Sequence, residues 1–377
     1  MFKTFQVFTN ADCNLRCKYC YEYLKNRGKN NPETIKKYIS TILANKNVQS
    51  DIKNISIEFI GGESFLYPKE MKEYIEFILQ VCEYYKLNDI PHISTNTNGT
   101  LLGSDDVKNL ISTYGRYLSI GVSIDGTKEC HDLNRVDIHG NGSYDRIIEN
   151  LDFTRKHISK NKLNVKATFN HNTIKYYKDS ILNLINLGFT KITANTVYEE
   201  LWTDDDTKLI FDQIKDIVDY LVDHDLEDKI LIEQINKNGS DYKSLALGLP
   251  KDSNHCGTCE HMVCLGFDNK IYGCHRFATN FIYPIGNIDS NSNICIDNIE
   301  FIDNIKAQYL NYPKECFNCN FSQLCGTCAT LPYELNISAK DFFKQKRQCG
   351  FTKAIGYGIC YFGLKIEEKK RKTSIKI

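Results

Sequence analysis

The sequence has no excess charge, little proline, one tryptophan and no long apolar run. Its 47 Lys and Arg balance 47 Asp and Glu, so the formal net charge is zero. A general nucleic-acid binder or a protein held on an anionic membrane would show a basic excess, so neither partner is expected. No run of about 18 apolar residues exists to cross a bilayer, and the opening MFKTFQVFTN is too short and polar for a signal peptide. Seven prolines and 22 glycines in 377 residues argue against a fibrous or disordered chain. The length suffices for a barrel-sized domain and a smaller unit. Against these shortages stand 16 cysteines. Secreted proteins spend cysteine on disulfides, but a long chain without a signal peptide is expected in the reducing cytoplasm, where clustered cysteines are metal ligands.

Twelve of the sixteen are clustered. Cys13, Cys17 and Cys20 stand in ADCNLRCKYCYEY; Cys256, Cys259, Cys264 and Cys274 follow much later, then Cys316, Cys319, Cys325, Cys328 and Cys349. Cys82 lies on the helical stripe Met71, Tyr74, Ile75, Ile78, Leu79, Cys82, Tyr85 and reads as core filling, as do Cys130, Cys295 and Cys360. From residue 1 to about 225, strand-like runs alternate with amphipathic stretches: FKTFQVFT, NISIEFI, HISTNT, YLSIGVSI, LNVKATF and KITANT, each followed by a helical pattern. In YLSIGVSI, period two gathers Ser119, Gly121 and Ser123 on one face, as if something packs closely there. Six β/α units imply a parallel sheet, closed as a partial barrel or wound open. Beyond about residue 250 the periodicity fades, which fits a region held by metal rather than by an apolar core. The lysine-rich end, 363–377, reads as a solvated tail.

Cys-x3-Cys-x2-Cys offers three thiolates. Structural zinc needs a fourth ligand, and only Cys82 and His92 follow within the next hundred residues. Three thiolates on a four-iron cluster leave one iron open to an outside ligand. The triad also follows the first strand, where an α/β barrel builds its active site. CNLRCKYCY resembles the cluster motif of the radical S-adenosylmethionine (SAM) superfamily. The ends of the next strands carry Gly61-Gly62-Glu63, Thr97-Asn98-Gly99-Thr100, and Ser123-Ile124-Asp125-Gly126 with His131-Asp132 and Arg135. The resemblance implies a partial (β/α)6 radical-SAM barrel over 1–225, in which Cys13, Cys17 and Cys20 hold a [4Fe–4S] cluster whose open iron chelates SAM. It further places Tyr19 beside the adenine, Gly61, Gly62 and Glu63 at the amine, and Ser123 and Arg135 at the carboxylate. The bound cofactors would then yield a 5′-deoxyadenosyl radical.

CGTCEHMVCLGFDNKIYGC, the following C-x2-C-x5-C-x2-C and Cys349 resemble the SPASM domain, a small Cys-rich iron–sulfur extension with two auxiliary [4Fe–4S] clusters, here over 256–362 after a bridging segment 226–255. By that resemblance Cys316, Cys319, Cys325 and Cys349 hold one cluster. Cys256, Cys274 and Cys328 hold the other, with Cys259 as fourth ligand and Cys264 in reserve; Cys325 and Cys328 stand one residue closer than the family's usual spacing. Asn269 replaces a family glycine and would keep its left-handed turn. Zinc on the two CxxC pairs is the competing reading. The resemblance implies three [4Fe–4S] clusters, SAM, a peptide or protein substrate, and an electron donor such as flavodoxin or ferredoxin. Sulfatase-maturating members make formylglycine and carry an Asp base directly after the ligand matching Cys274; here that place is His275, a candidate base. CHRF looks more like the maturases that oxidise a ribosomally made precursor peptide to install a thioether or carbon–carbon crosslink, which is the preferred expectation. With 12 residues before Cys13, where many such maturases carry a peptide-recognition domain, the precursor is expected to be recognised by the barrel mouth, the 225–255 segment or a separate peptide-recognition protein. A non-catalytic iron–sulfur or zinc scaffold, and an enzyme acting on a small molecule, are the readings from other classes.

Overall fold

The computed structural model describes residues 2–22, 25–236, 256–289 and 293–374. It divides into two compact units, one of Met1–Ser123, Asn134–Leu163 and Gly257–Lys306, the other of Ile124–Leu133, Asn164–Cys256 and Ala307–Ile377. In the first, four parallel strands lie in chain order: β1 (Thr4–Asn10), β2 (Ser56–Gly61), β3 (His92–Thr97) and β4 (Leu118–Ser123). Register explains their two faces. Val7, Phe59, Thr95 and Ile120 form one row across the sheet, all buried. Helices Pro32–Ala44, Pro68–Tyr84 and Asp105–Tyr114 alternate with these strands and turn apolar stripes inward, Tyr38 and Ile39, Tyr74 and Ile78, and Leu110 and Ile111 among them. The next row, on the opposite face, is Gln6, Glu58, Ser94 and Ser119. This polar face adjoins the small residues that the sequence grouped in β4.

The same unit contains part of the cysteine-rich region. Strand β8 (Met262–Leu265) pairs in parallel with β1, and antiparallel β9 (Lys270–Tyr272), β10 (Gly286–Ile288) and β11 (Ile294–Ile296) extend it. Val263, Leu265, Ile271, Tyr272 and Phe277 are buried. The expectation of a region held by metal rather than by an apolar core is corrected for this part: strand pairing and apolar burial hold these residues.

In the second unit β5 (Leu163–Phe169), β6 (Lys191–Thr196) and β7 (Leu231–Ile232) are parallel. Helices Tyr177–Asn186, Asp204–Asp223 and Cys349–Ser374 accompany them. Residues 363–374, expected as a tail, continue the last helix: Lys365 meets Asp219 at 2.7 Å and Lys369 meets Asp225 at 2.5 Å. Such surface pairs add little each; buried Ala354, Ile355 and Ile359 hold the helix more firmly. Much of the expected bridging segment, 237–255, lies outside the described residues. Cys82 and Cys130 are buried as expected, whereas Cys295 is half-buried and Cys360 is exposed, so these two are not core. Among the described residues no helix is long and apolar enough to cross a membrane.

Gly350 shows how closely the last helix is seated. A Cβ there would lie 1.8 Å from Thr203 O. Ala in a helix gains up to about 1 kcal/mol over Gly, but a forced backbone shift costs about 2–3 kcal/mol. Gly350→Ala should therefore lower the thermal midpoint; an unchanged or raised midpoint would contradict this packing.

Candidate active site

Loops at the C-terminal ends of β1, β2 and β3 build the site, all within the first unit. The first loop carries Cys13, Cys17 and Cys20, each half-buried. Its ends are tied: Ala11 N donates to Gly28 O and Gly28 N to Asp12 Oδ1, both at 2.9 Å, and Tyr67 donates to Asp12 Oδ2. Its middle is fastened to residues 134–136, with Arg16 N at 2.6 Å from Val136 O and Lys18 N at 3.0 Å from Asn134 O. That fastening sets the Arg135 guanidinium 5.4 Å from the Tyr19 ring centroid, a cation–π placement. Two expected SAM contacts from distant sequence positions thus become neighbours. Ser123 ends β4, half-buried.

The second loop depends on its glycines. A Cβ on Gly61 would lie 2.2 Å from Asn10 O and one on Gly62 2.3 Å from Asp12 O. Only bare backbone fits there. Glu63 N then donates to Asp12 O at 2.8 Å. Its side chain turns into the fold: Oε1 accepts from Phe65 N at 2.9 Å and Thr97 Oγ1 at 2.6 Å, and Oε2 from Asn98 N at 2.6 Å. Burial raises the Glu63 carboxyl pKa, while these three donors pull it back.

Two residues near the thiols carried no role in the sequence reading. Asn98 Nδ2 donates to Asn14 Oδ1 at 2.8 Å and lies 3.9 Å from Cys13 Sγ, and Asn14 Nδ2 donates to Thr100 Oγ1 at 2.8 Å. Its signal was the polar, glycine-bearing TNGT at a strand end. Lys25 is the other. Burial works against its ammonium, yet its pKa is raised, because Cys20, Cys13 and Cys17 surround it. Burial also pushes the Cys13 thiol up to about 11, helped by Cys17 and opposed by Leu15 N–H and Lys25. Such a thiol keeps its proton at neutral pH unless a metal takes the charge. Three half-exposed thiols around one cation fit a cluster with three protein ligands and one open side.

His275 reaches the same region. Its backbone N lies 2.8 Å and its Nδ1 3.1 Å from Gln6 Oε1, and Gln6 Nε2 donates to Glu58 Oε2 at 3.1 Å. Its ring stands 5.7 Å from that of Tyr21, next to Cys20, and Arg276 lies over the same tyrosine at 4.9 Å. The quoted His131 serves the fold of the second unit instead: it is fully buried and its Nδ1 accepts from Asp125 N at 3.2 Å.

The later cysteines are spread over both units. In the first, Cys259 and Cys274 are buried, and a Cβ on Gly273 would lie 2.3 Å from Cys259 Sγ, so that sulfur rests on the residue before Cys274. Cys264 is buried in β8 opposite Gln6, its thiol 3.5 Å from Leu265 O and its pKa raised by burial. Asn269 takes the expected left-handed turn, φ 61°. Exposed Cys256 and half-buried Cys328 belong to the second unit. There too, Cys316, Cys319, Cys325 and Cys349 line one cavity of about 50 Å³. Burial pushes Cys316 up to about 11. Among the described residues no three His, Cys, Asp or Glu side chains are set to hold a metal ion as they stand. A zinc ion needs thiolates about 2.3 Å from one centre; these four surround a volume, which fits a cluster better.

Comparison with known proteins agrees with this geometry. Residues 7–168 match the model of the radical SAM superfamily. The chain is 26% identical over 326 residues to the cysteine-type anaerobic sulfatase-maturating enzyme of Clostridium novyi, covering 84% of each chain. The solved structure of native anSMEcpe with bound AdoMet (SAM) superposes with a TM-score of 0.69 at 20% identity, over 95% of this chain and 99% of that one. Streptococcus suis SuiB bound to precursor peptide SuiA gives 0.54 at 15%, over 88% and 73%. These structural likenesses establish the fold. The family match and the sulfatase-maturase relative, together with the three-thiol loop and its glycine-bearing neighbours, identify residues 7–168 as a radical SAM domain and the chain as a SAM-dependent radical enzyme.

Proposed function

We propose that the protein is a SPASM-type radical SAM maturase that oxidises a ribosomally made precursor peptide, installing a thioether or carbon–carbon crosslink. The carrying observation is His275, a histidine directly after Cys274 and beside the Cys20–Tyr21 end of the cysteine loop. A maturase of the formylglycine type would be expected to hold a carboxylate there. When bound, the cluster and SAM supply a 5′-deoxyadenosyl radical. The chain's own residues then have separate tasks. Cys13, Cys17 and Cys20 hold the cluster, with Asn98 and Lys25 stabilising charge on its sulfurs. Tyr19 and Arg135 receive the adenine and the carboxylate, with Ser123 beside the latter, and the backbone of Gly61–Glu63 meets the amine, since the Glu63 carboxylate is already occupied. His275, held through Gln6, takes a proton from the oxidised substrate. The polar row Gln6, Glu58, Ser94 and Ser119 offers hydrogen-bonding groups to a peptide backbone.

Two auxiliary clusters belong to this reading, one in the cavity of Cys316, Cys319, Cys325 and Cys349, the other with Cys259 and Cys274 of the first unit among its ligands. An electron donor of the flavodoxin or ferredoxin class completes it, with the precursor recognised by the barrel mouth, the 225–255 segment or a separate peptide-recognition protein. The SuiB complex and the sulfatase-maturase relative both favour a peptide or protein substrate. Formylglycine formation is the second reading, favoured by the similarity over 84% of the Clostridium novyi enzyme. Coexpression with short open reading frames beside the gene, followed by mass spectrometry, separates the two. Loss of two hydrogens from a peptide, with a new link between two of its residues, is the expected result. A cysteine turned aldehyde would replace the crosslink reading by the second one.

A further inference from the structure

The cavity of Cys316, Cys319, Cys325 and Cys349 has cations as well as thiols in its wall. Lys346 and Lys353 both line it. Each has a carboxylate partner outside that lining: Lys346 Nζ lies 2.9 Å from Glu315 and Lys353 Nζ 2.6 Å from Asp204. The exposures of the partners differ in one direction. Glu315 and Asp204 side chains are 64% and 68% exposed, Lys346 and Lys353 only 39% and 30%. Water therefore screens the carboxylates more than the ammonium groups, and the pairs do not cancel at the cavity. Asp204 does approach Cys349 Sγ, at 3.7 Å. Opposing it, the helix Cys349–Ser374 begins at that cysteine, so its positive end faces the same thiol. The third cation of the lining, Arg347, is directed elsewhere, donating to Glu199 O at 2.6 Å.

We propose that Lys346 and Lys353 set the reduction potential of the iron–sulfur cluster in this cavity, raising it so that the cluster accepts an electron more readily than its four thiolates alone would allow. This rests on the reading that the four thiols hold a cluster. One-electron reduction adds a negative charge inside the cavity, and two nearby ammonium groups stabilise the reduced form more than the oxidised one. Net charge and hydrogen bonding around the sulfurs are the usual determinants of such potentials. The lysines touch no substrate; they are positioning residues acting through the cluster.

The test is an anaerobic potentiometric titration of the full-length, reconstituted chain, followed by electron paramagnetic resonance of each reduced cluster. Lys346→Gln and Lys353→Gln should each shift one midpoint to more negative potential, further in the double variant, with the other signals unmoved. Lys346→Arg should restore it. Glu315→Gln, which removes an outer carboxylate and leaves the ammonium, should shift the same midpoint upward. A double variant with full iron content and an unshifted midpoint overturns the proposal. Cys316→Ala with Cys319→Ala probes the underlying reading separately: if iron and all signals persist, the cavity holds no cluster and both ideas fall.

Discussion

A chain in which Cys13, Cys17 and Cys20 are all alanine should release no 5′-deoxyadenosine from SAM under dithionite, yet should keep about eight of about twelve iron atoms. The first half follows from chemistry, because no other thiol stands on that loop and SAM is cleaved only from a cluster with an open iron. The second half follows from structure. The loop is held by contacts that do not use the thiol groups: Asp12 with Gly28, Arg16 N with Val136 O, Lys18 N with Asn134 O, and Leu15, which is fully buried. Removing three half-exposed sulfurs should therefore leave the loop and the other clusters standing. Iron analysis and chromatography of the SAM products check both halves. Residual 5′-deoxyadenosine would place the catalytic cluster elsewhere, and complete loss of iron would show that the auxiliary sites depend on this loop.

Much of this site was legible because strand order and strand ends are local properties. Alternation in HISTNT and YLSIGVSI marked strands, and each following polar motif fell at one pole. What was not legible lies in pairings across the chain. Strand β8 joins β1 through Phe5–Val263 and Val7–Leu265, a register that nothing within either segment specifies. The helix Cys349–Ser374 carries four glycines, Gly350, Gly356, Gly358 and Gly363, which weaken a helical pattern read from sequence. In the fold three of these are clearance: added Cβ atoms would meet Thr203 O, the Phe321 ring and Ile214 Cγ2 at 1.8, 2.2 and 2.4 Å. Motifs also name residues without naming atoms. Gly61-Gly62-Glu63 pointed to a SAM contact, but only the geometry shows that the Glu63 carboxylate is engaged by three protein donors. Nothing in the local sequence marks Lys346 and Lys353; only the cavity places them in one wall with four thiols.

Glu63→Gln should be among the most damaging single changes in the first unit, although it keeps size and shape. Both carboxylate oxygens only accept, from Phe65 N, Thr97 Oγ1 and Asn98 N. Glutamine brings one acceptor and one NH2 donor. In one orientation the NH2 faces Asn98 N–H; in the other it faces Phe65 N–H, and only the Thr97 hydroxyl can rotate to accept. Either way two donors confront each other at a residue 1% exposed. Losing charge-assisted bonds and burying an unpaired donor costs about 3 kcal/mol. The damage also reaches chemistry, since Glu63 links the β2 loop at Gly61–Gly62 to the β3 loop that carries Asn98. The expected result is a lowered thermal midpoint in the reconstituted chain together with weaker SAM binding, measured by calorimetry. Glu63→Asp retains two acceptor oxygens and should recover part of the stability. If Glu63→Gln matched the parent in midpoint and SAM affinity, the three short contacts would not be holding these loops, and the geometry assigned to the SAM amine would need another support.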